Sequence, residues 1–218
     1  LFSSGRRLSY KKGEVIQRAN ETPQGVYFIS KGYGKEYSIG KDGSEHFKVL
    51  YAPHELFSVI WAYLDVEQNV YREALTDSVI YRVSAEEMLA ATQTNPKLLK
   101  EVTMLLMWQM HTLKARVENY SFTSAYDKVA YRLLYLAGRF GEQRKDGWFI
   151  TLESRHQQIA EALSITRETA SRMIEKMEKD GLIKQDGKGH FIIRDPSALA
   201  RTMGVEEVMV TWPHLLDS

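Results

Sequence analysis

Two short amphipathic helices, joined by a turn of two residues, constrain this chain more than any other feature of its sequence. We predict the first helix from a capping box at Ser154–Gln157 to about Leu163. After the turn at Ser164-Ile165, Thr166 caps a second helix that runs to about Lys179. The apolar faces consist of Ile159, Ala160 and Leu163 in the first helix, and of Ala170, Met173, Ile174 and Met177 in the second. So tight a turn, with small alanines at the expected crossing, predicts a helix-turn-helix.

The segment after these helices predicts a wing. Gly181–Lys184 is expected to form a strand, Asp186-Gly187 a hairpin turn and Phe191–Ile193 the return strand. Lys184 and Lys188 then lie where a wing meets phosphates, which position a protein on DNA without reading its sequence. The whole stretch therefore predicts a winged helix-turn-helix.

Polar and charged residues cluster at the start of the second predicted helix, the part that enters the major groove in this motif. Glu168 and Arg172 lie four positions apart and share a face of the helix. Arginine can donate two hydrogen bonds to guanine, and glutamate can accept one from cytosine. A solvated surface helix would also carry these residues, as an intrahelical ion pair, and this alternative stays open. The predicted DNA-binding residues are Arg155, Gln157, Thr166, Arg167, Glu168, Thr169, Ser171, Arg172 and Lys188.

A heptad pattern marks a long helix that we predict to begin at Asn95-Pro96, with asparagine as N-cap and proline at the first helical position. Its mostly apolar seam consists of Leu99, Thr103, Leu106, Met110, Leu113, Val117 and Tyr120. Such a seam predicts a dimer interface with the symmetry mate of the same helix. The alternative is that the helix packs on its own domain.

Short segments rich in β-forming residues dominate the chain up to about Val83. The predicted strands are Val26–Ile29, Lys35–Ile39, Phe47–Tyr51 and Val79–Val83. Lys41-Asp42-Gly43 is a strong hairpin signal, because Asp-Gly tolerates positive φ. These segments predict a compact all-β roll or barrel, and a capping box at Ser84–Glu87 opens a helix after it that runs to about Thr92.

The heptad pattern breaks at Tyr120–Thr123, where we expect a hinge. Beyond it, Ser124–Phe140 is a further amphipathic helix, and Gly141–Gly147 is a polar turn region. The predicted domains are a β-roll sensor domain at residues 1–95, a dimerisation helix at 96–121 and a winged helix-turn-helix DNA-binding domain at 122–218.

Composition excludes several classes of protein. The 218 residues include no cysteine, which rules out disulfides, cysteine-ligated zinc and iron–sulfur clusters. No apolar stretch is long enough to span a membrane, and the sequence contains no motif of a hydrolase, metalloprotease or phosphate-binding loop. We therefore expect a cytoplasmic protein that is not an enzyme, with no catalytic residues and no metal site.

The net charge is only +1, so the case for DNA binding depends on where individual charged residues lie. Because the chain begins at Leu1, we expect its N-terminus to be missing or processed.

The stretch TRETASRMIEKMEKDGLI, residues 166–183, resembles the recognition helix and wing entry of cAMP-receptor-protein/FNR-type (Crp/Fnr) regulators, with their S/T-R-E-T-x-x-R core. The resemblance covers nearly the whole chain. It implies an α+β protein with an N-terminal cyclic-nucleotide-binding-like β-roll, a long dimerisation helix and a C-terminal winged helix-turn-helix domain. It also implies a sequence-specific transcriptional regulator that binds a two-fold symmetric site as a homodimer, under the control of a small effector in the β-roll.

The resemblance implies base contacts from Arg167, Glu168 and Arg172 to a half-site like TGTGA. Ser164 stands where the family usually has glycine, which predicts mild local strain in the turn. RNA polymerase is a further candidate partner, although no local pattern identifies a surface for it.

The effector part of the family pattern is incomplete. Pro53–Phe57 resembles the start of the cyclic-nucleotide cassette, and Glu55 and Arg72 are the candidate effector-binding residues. They lie 17 positions apart instead of about ten, and His54 replaces the glycine of a phosphate-cradling turn. Cyclic AMP is therefore not the expected effector, and its identity stays open. Arg72 could equally have a structural role.

The alternative function is a ligand-sensing module whose winged helix mediates a protein–protein interaction. A salt titration discriminates between the two, because affinity for DNA falls steeply as salt rises.

Overall fold

The computed structural model describes residues 1–66, 69–119 and 124–204. The described residues divide into two compact units, residues 1–109 and residues 110–204. The strands of the first unit are β1 Arg6–Tyr10, β2 Val15–Gln17, β3 Val26–Lys31, β4 Gly34–Ile39, β5 Glu45–Tyr51, β6 Leu56–Phe57, β7 Tyr71–Ala74 and β8 Ser78–Val83. Its helices are α1 Val59–Leu64, α2 Ala85–Thr94 and the first part of α3 Pro96–Asn119.

Two antiparallel sheets make the β-roll, with strand orders β1-β8-β3-β6 and β2-β7-β4-β5 among the described residues. Between them lies an apolar cluster that consists of Tyr27, Ile29, Tyr51, Phe57 and Ile80, all buried. The expected roll is confirmed, and the four predicted strands correspond to β3, β4, β5 and β8. The short strands β1, β2, β6 and β7 were not predicted, because their sequences alternate too little to stand out.

Local signals around the roll also agree with the structure. Gly43 has φ of 81°, as the hairpin signal requires. At the start of α2 the Glu87 N–H donates to Ser84 Oγ over 3.1 Å, and the Ser84 N–H donates to Glu87 Oε2 over 2.7 Å. The predicted capping box is therefore confirmed, and α2 ends at Thr94, two residues later than expected.

The long helix α3 has two different faces. Asn95 Oδ1 accepts hydrogen bonds from the N–H groups of Lys97 and Leu98, which confirms the predicted N-cap. Val102 and Leu105 are buried against their own unit. The predicted seam is largely open to solvent, with exposed fractions of 45% for Leu99, 66% for Met110 and 54% for Leu113. Thr103 is exposed and Leu106 is half-buried, while the side chains of Val117 and Tyr120 lie outside the described residues, as does the expected hinge.

Besides the rest of α3, the second unit contains four helices and four strands in its described part. The helices are the amphipathic α4 Ala125–Phe140, then α5 His156–Leu163, α6 Arg167–Lys179 and α7 Pro196–Arg201. The strands are β9 Gly141–Arg144, β10 Gly147–Ile150, β11 Ile183–Gln185 and β12 Phe191–Ile193, paired in the order β11-β12-β10-β9. The apolar side of α4, with Val129, Leu133 and Ala137 fully buried, supplies the centre of this unit. None of the helices in the described parts of the chain combines the length and apolar character that a bilayer crossing requires.

Two predictions for this unit were wrong. The polar turn expected at Gly141–Gly147 is mostly strand, because β9 pairs with β10. Its residues 142–144 are polar and exposed, so they carry no apolar alternation that would mark an edge strand.

The capping box expected at Ser154–Gln157 is displaced by one residue. Arg155 is the N-cap of α5, and its N–H donates to Gln158 Oε1 over 2.8 Å. The Ser154 N–H instead donates to the carbonyl oxygen of Gly189 over 2.8 Å. Pairing with the wing therefore keeps Ser154 in extended backbone and delays the helix to His156.

Candidate nucleic-acid interface

Helices α5 and α6 cross closely because alanines lie where they meet. Ala160 and Ala170 are both buried, as are Ile159 and Ile174 on the same apolar faces. Between the helices, Ser164 has φ of 53°, in the left-handed region that favours glycine. The predicted tight turn and its local strain are confirmed.

The second helix presents its first turns to solvent. Thr166 Oγ1 accepts the Thr169 N–H over 3.2 Å and so caps α6. Arg167, Glu168 and Arg172 are exposed, and in the described part of the chain none of their side chains forms a hydrogen bond or ion pair. The intrahelical ion pair between Glu168 and Arg172 that the alternative interpretation requires is therefore not formed among these residues.

The wing consists of β11, β12 and the short loop between them. Asp186 Oδ1 accepts the backbone N–H groups of Lys188 over 2.8 Å and of His190 over 3.0 Å, which closes the loop. Gly187 and Gly189 have φ of 74° and 93°, which a side chain would disfavour. Lys188 is consequently held at the exposed tip.

A cleft of about 550 Å³ lies between the start of α5, the start of α6 and the wing. It brings together four predicted DNA-binding residues: Arg155, Gln157, Arg167 and Lys188. Arg155 Nε donates to Glu153 Oε1 over 2.8 Å, and Gln157 Nε2 donates to Glu161 Oε1 over 2.7 Å. The other predicted residues, Thr166, Glu168, Thr169, Ser171 and Arg172, do not line this cleft. Cationic side chains on three different segments give the cleft a positive rim, which attracts anions.

A half-buried chain of hydrogen bonds behind this surface was not predicted. His156 Nδ1 lies 2.8 Å from Ser171 Oγ, and His156 Nε2 lies 2.7 Å from Gln185 Oε1. Gln185 in turn donates from its backbone N–H and from Nε2 to the Glu178 carboxylate, each over 2.9 Å. The hydroxyl of Ser171, a residue expected to face DNA, thus forms a hydrogen bond with His156. No spacing in the sequence reveals this contact, since it joins α5, α6 and the wing.

The candidate effector residues lie inside the β-roll. Glu55 is buried, and its Oε2 accepts the Ala52 N–H over 3.0 Å. His54 adopts φ of 69°, so the turn that glycine usually makes is formed here by histidine. The buried Arg72 places Nη2 2.7 Å from Glu36 Oε2 and donates from Nη1 to Gln17 Oε1 over 2.5 Å.

Glu36 and Arg72 form part of a larger buried network. The Tyr51 hydroxyl donates to Glu36 Oε2 over 2.8 Å, and burial, followed by the Glu36 carboxylate, raises the pKa of this hydroxyl. Ser58 Oγ donates to Gln17 Oε1 over 3.2 Å. The charge of Arg72 is therefore already matched within the roll. Among the described residues, no cluster of three or more histidine and acidic side chains is arranged to hold a metal ion.

Comparison with known proteins agrees with both units. The family described as "Crp-like helix-turn-helix domain" matches residues 127–202, and the family described as "Cyclic nucleotide-binding domain" matches residues 7–95. The chain is 25% identical to the cyclic AMP receptor protein of Thermus thermophilus, over 89% of this chain and 86% of that relative. It is 23% identical to electron transport regulator A of Shewanella oneidensis, over 86% of this chain and 75% of that relative.

Solved structures show the same fold. The structure of FixK2 from Bradyrhizobium japonicum aligns with a TM-score of 0.75 at 19% identity, over 90% of this chain and 96% of that one. The two family matches follow one another in the order that the β-roll, α3 and the winged unit take along this chain. The chain therefore belongs to the Crp/Fnr family of DNA-binding transcriptional regulators.

Proposed function

We propose that two copies of this chain bind a two-fold symmetric DNA site, each inserting the start of α6 into the major groove. The observation that carries this proposal concerns the side chains of Arg167, Glu168 and Arg172. They are exposed at that end and make no hydrogen bond or ion pair with the described residues. Side chains left this way can contact base edges without first breaking an internal contact. A TGTGA-like half-site suits these donors and acceptors.

The remaining predicted residues take two other roles. Arg155 and Lys188, which both line the cleft, contact phosphates and set the position of the unit on the duplex. Gln157, Thr166 and Thr169 lie beside them and can add polar contacts. Ser171 is a positioning residue, since its hydroxyl holds His156 and through it the wing.

Dimerisation uses the open face of α3. Leu99, Met110 and Leu113 are each about half or more exposed, and exposed apolar side chains at heptad spacing favour a partner helix. A symmetric dimer then offers two recognition helices to successive major grooves, about 34 Å apart. We assign residues 1–95 to sensing, 96–121 to dimerisation and 122–218 to DNA binding. This role needs access to DNA, in agreement with a cytoplasmic location, and uses no enzymatic step.

Control by a cyclic nucleotide at Arg72 is disfavoured by its surroundings. A phosphate on that guanidinium would have to displace the Glu36 carboxylate, which sits 2.7 Å away in a buried position. We expect cyclic AMP at saturating concentration for a typical family site to change neither the DNA affinity nor the melting temperature of the protein. A clear shift in either quantity would overturn this part of the proposal.

The test of the DNA proposal is selection from a random-sequence duplex library at physiological salt, without added ligand. We expect enrichment of a two-fold palindrome, and an affinity for it that falls linearly on a logarithmic salt scale. A protein partner for the winged unit would be favoured instead by no enrichment together with salt-insensitive or absent binding to DNA. RNA polymerase binding is a further proposal, tested by co-sedimentation on the selected site.

A further inference from the structure

A second cleft, of about 240 Å³, lies in the first unit and borders the Arg72 network at Gln17. Its walls come from β1, β2, β3 and β8 and from the loop after β2. Arg6 and Arg82 line it together with Tyr10 and Tyr27.

The two arginines are placed opposite each other by strand register. Arg6 pairs with Arg82 across β1 and β8, and Arg82 pairs with Tyr27 across β8 and β3. Residues directly opposite in an antiparallel sheet point to the same face, and like charges in this position destabilise the pairing. The described residues provide no ion pair for either arginine, although Glu21 also lines the cleft. Among the residues that the structure describes, Arg82 Nη1 donates to one acceptor, the neutral Gln24 Oε1.

Further donors converge on the same space. The hydroxyls of Tyr10 and Tyr27 form no hydrogen bond with the described residues. Burial, followed by proximity to Tyr27, raises the pKa of Tyr10, while Arg82 and Arg6 act in the opposite direction, so all four groups lie within electrostatic range. Leu8 and Ile16 add an apolar wall beside them.

We propose that this cleft binds a small organic carboxylate. Guanidinium groups match a planar carboxylate with paired hydrogen bonds, and a negative ligand removes the repulsion between Arg6 and Arg82. Phenol hydroxyls can donate to the same oxygens, and the apolar wall accommodates a short carbon skeleton. The cleft, at about 240 Å³, has room for a four-carbon acid.

The cleft is connected to the interior of the roll through one residue. Gln17 lines the cleft and also accepts the hydrogen bond from Arg72 Nη1, so a ligand here would lie on the other side of Gln17 from Arg72. The proposed site is therefore separate from the one that the Crp/Fnr pattern assigns to Glu55 and Arg72. It also does not depend on the DNA proposal, because binding is measured on the protein alone.

The experiment is calorimetric titration of the full chain with succinate, using its neutral analogue succinamide as the ligand control at matched ionic strength. We expect saturable binding of succinate and none of succinamide. Arg6→Gln and Arg82→Gln should each weaken succinate binding about tenfold or more, which is ~1.4 kcal/mol. The matched control is Arg7→Gln, since Arg7 pairs with Tyr81 on the opposite face of β1 and donates to Ser9. This variant should bind succinate normally.

A second readout uses the ligand-free protein. If the arginines repel each other across an empty cleft, Arg6→Gln should raise the melting temperature without ligand, whereas Arg7→Gln should leave it unchanged. The proposal is overturned by absence of saturable succinate binding, by equal binding of succinamide, or by equal weakening in Arg7→Gln. Saturable binding of inorganic phosphate in place of succinate would likewise reject a carboxylate ligand.

Discussion

His156 Nε2 lies 2.7 Å from Gln185 Oε1, and this bond connects the first helix of the recognition motif to the wing. The Glu178 carboxylate can only accept, so it draws the amide NH₂ of Gln185 toward itself and leaves the amide oxygen facing His156. His156 therefore donates from Nε2, while Nδ1 shares a hydrogen bond with the Ser171 hydroxyl. The histidine holds three elements in one arrangement.

Replacing this ring by a similar one without nitrogen tests its role. His156→Phe keeps most of the volume but leaves the Ser171 hydroxyl and the Gln185 oxygen without their partner, so we expect a loss of about 1–3 kcal/mol in unfolding free energy. DNA affinity should fall for all sequences alike. Urea unfolding measures the change in unfolding free energy, and DNA titration measures the change in affinity. Glu175→Ala, an exposed change on α6, is the control and should stay within ~0.5 kcal/mol of the parent. If His156→Phe had the same unfolding free energy and DNA affinity as the parent protein, the role assigned to His156 would be wrong.

Arg172 and Lys188 should behave differently on DNA. Arg172→Ala should cost roughly 1–3 kcal/mol on a specific site and relax sequence preference at one position, because it removes a base contact. Lys188→Ala should weaken all sequences about equally and reduce the salt slope by about one. Binding curves at several salt concentrations, on specific and scrambled duplexes, separate the two effects.

The groove assignment depends on the contrast between these variants. If Arg172→Ala lowers the affinity for specific and scrambled duplexes to the same extent, as expected of Lys188→Ala, then α6 does not read bases in the proposed orientation.

The strained turn at Ser164 offers a stabilising substitution. A non-glycine residue in the left-handed region is disfavoured, so Ser164→Gly should raise the unfolding free energy by up to about 1 kcal/mol, after the entropy of the extra glycine is counted. Ala162→Gly, two residues earlier inside α5, should instead lower it by roughly 0.5–1 kcal/mol. Chemical denaturation of both variants shows whether each substitution raises or lowers the unfolding free energy. A loss of stability in Ser164→Gly would show that its side chain contributes more than the strain costs.

A charged substitution tests whether the exposed face of α3 is the dimer interface. Met110→Glu places a carboxylate where the proposed dimer buries an apolar side chain, so the protein should sediment as a monomer at micromolar concentration. Lys114→Gln changes the net charge by the same amount, at an exposed position off the seam, and should remain dimeric. Dimers of both variants would show that the open face of α3 is not the interface.

Alkaline pH should destabilise the β-roll through Tyr37. Burial, and next the Glu73 carboxylate, raises the pKa of this tyrosine to about 12. A pKa raised by folding means that the contribution to stability is complete below the ordinary value near 10 and is lost as pH rises toward 12. Unfolding free energy measured between pH 9 and 12 should therefore fall less steeply in Tyr37→Phe than in the parent. Tyrosinate absorbance provides the second check, because one late-titrating group should disappear in the variant.

Features with local signals could be predicted from the sequence, and those that depend on strand register could not. The caps at Ser84 and Asn95 follow from residues adjacent in the chain, and the strain at Ser164 followed from the family resemblance. The Arg72–Glu36 pair and the opposition of Arg6 and Arg82 arise only when distant strands align. Single-sequence patterns do not encode that alignment, so the buried networks became visible only in the structure.

The sheet of the winged unit has a consequence for synthesis of the protein. Strand β10 pairs with β12, which sets Trp148 opposite Ile193, and both helices of the recognition motif lie in the intervening chain. A nascent chain can close this pairing only after Ile193 has left the ribosome, and such non-local contacts form slowly. DNA recognition should therefore be acquired late in translation, well after the β-roll has emerged and had time to fold.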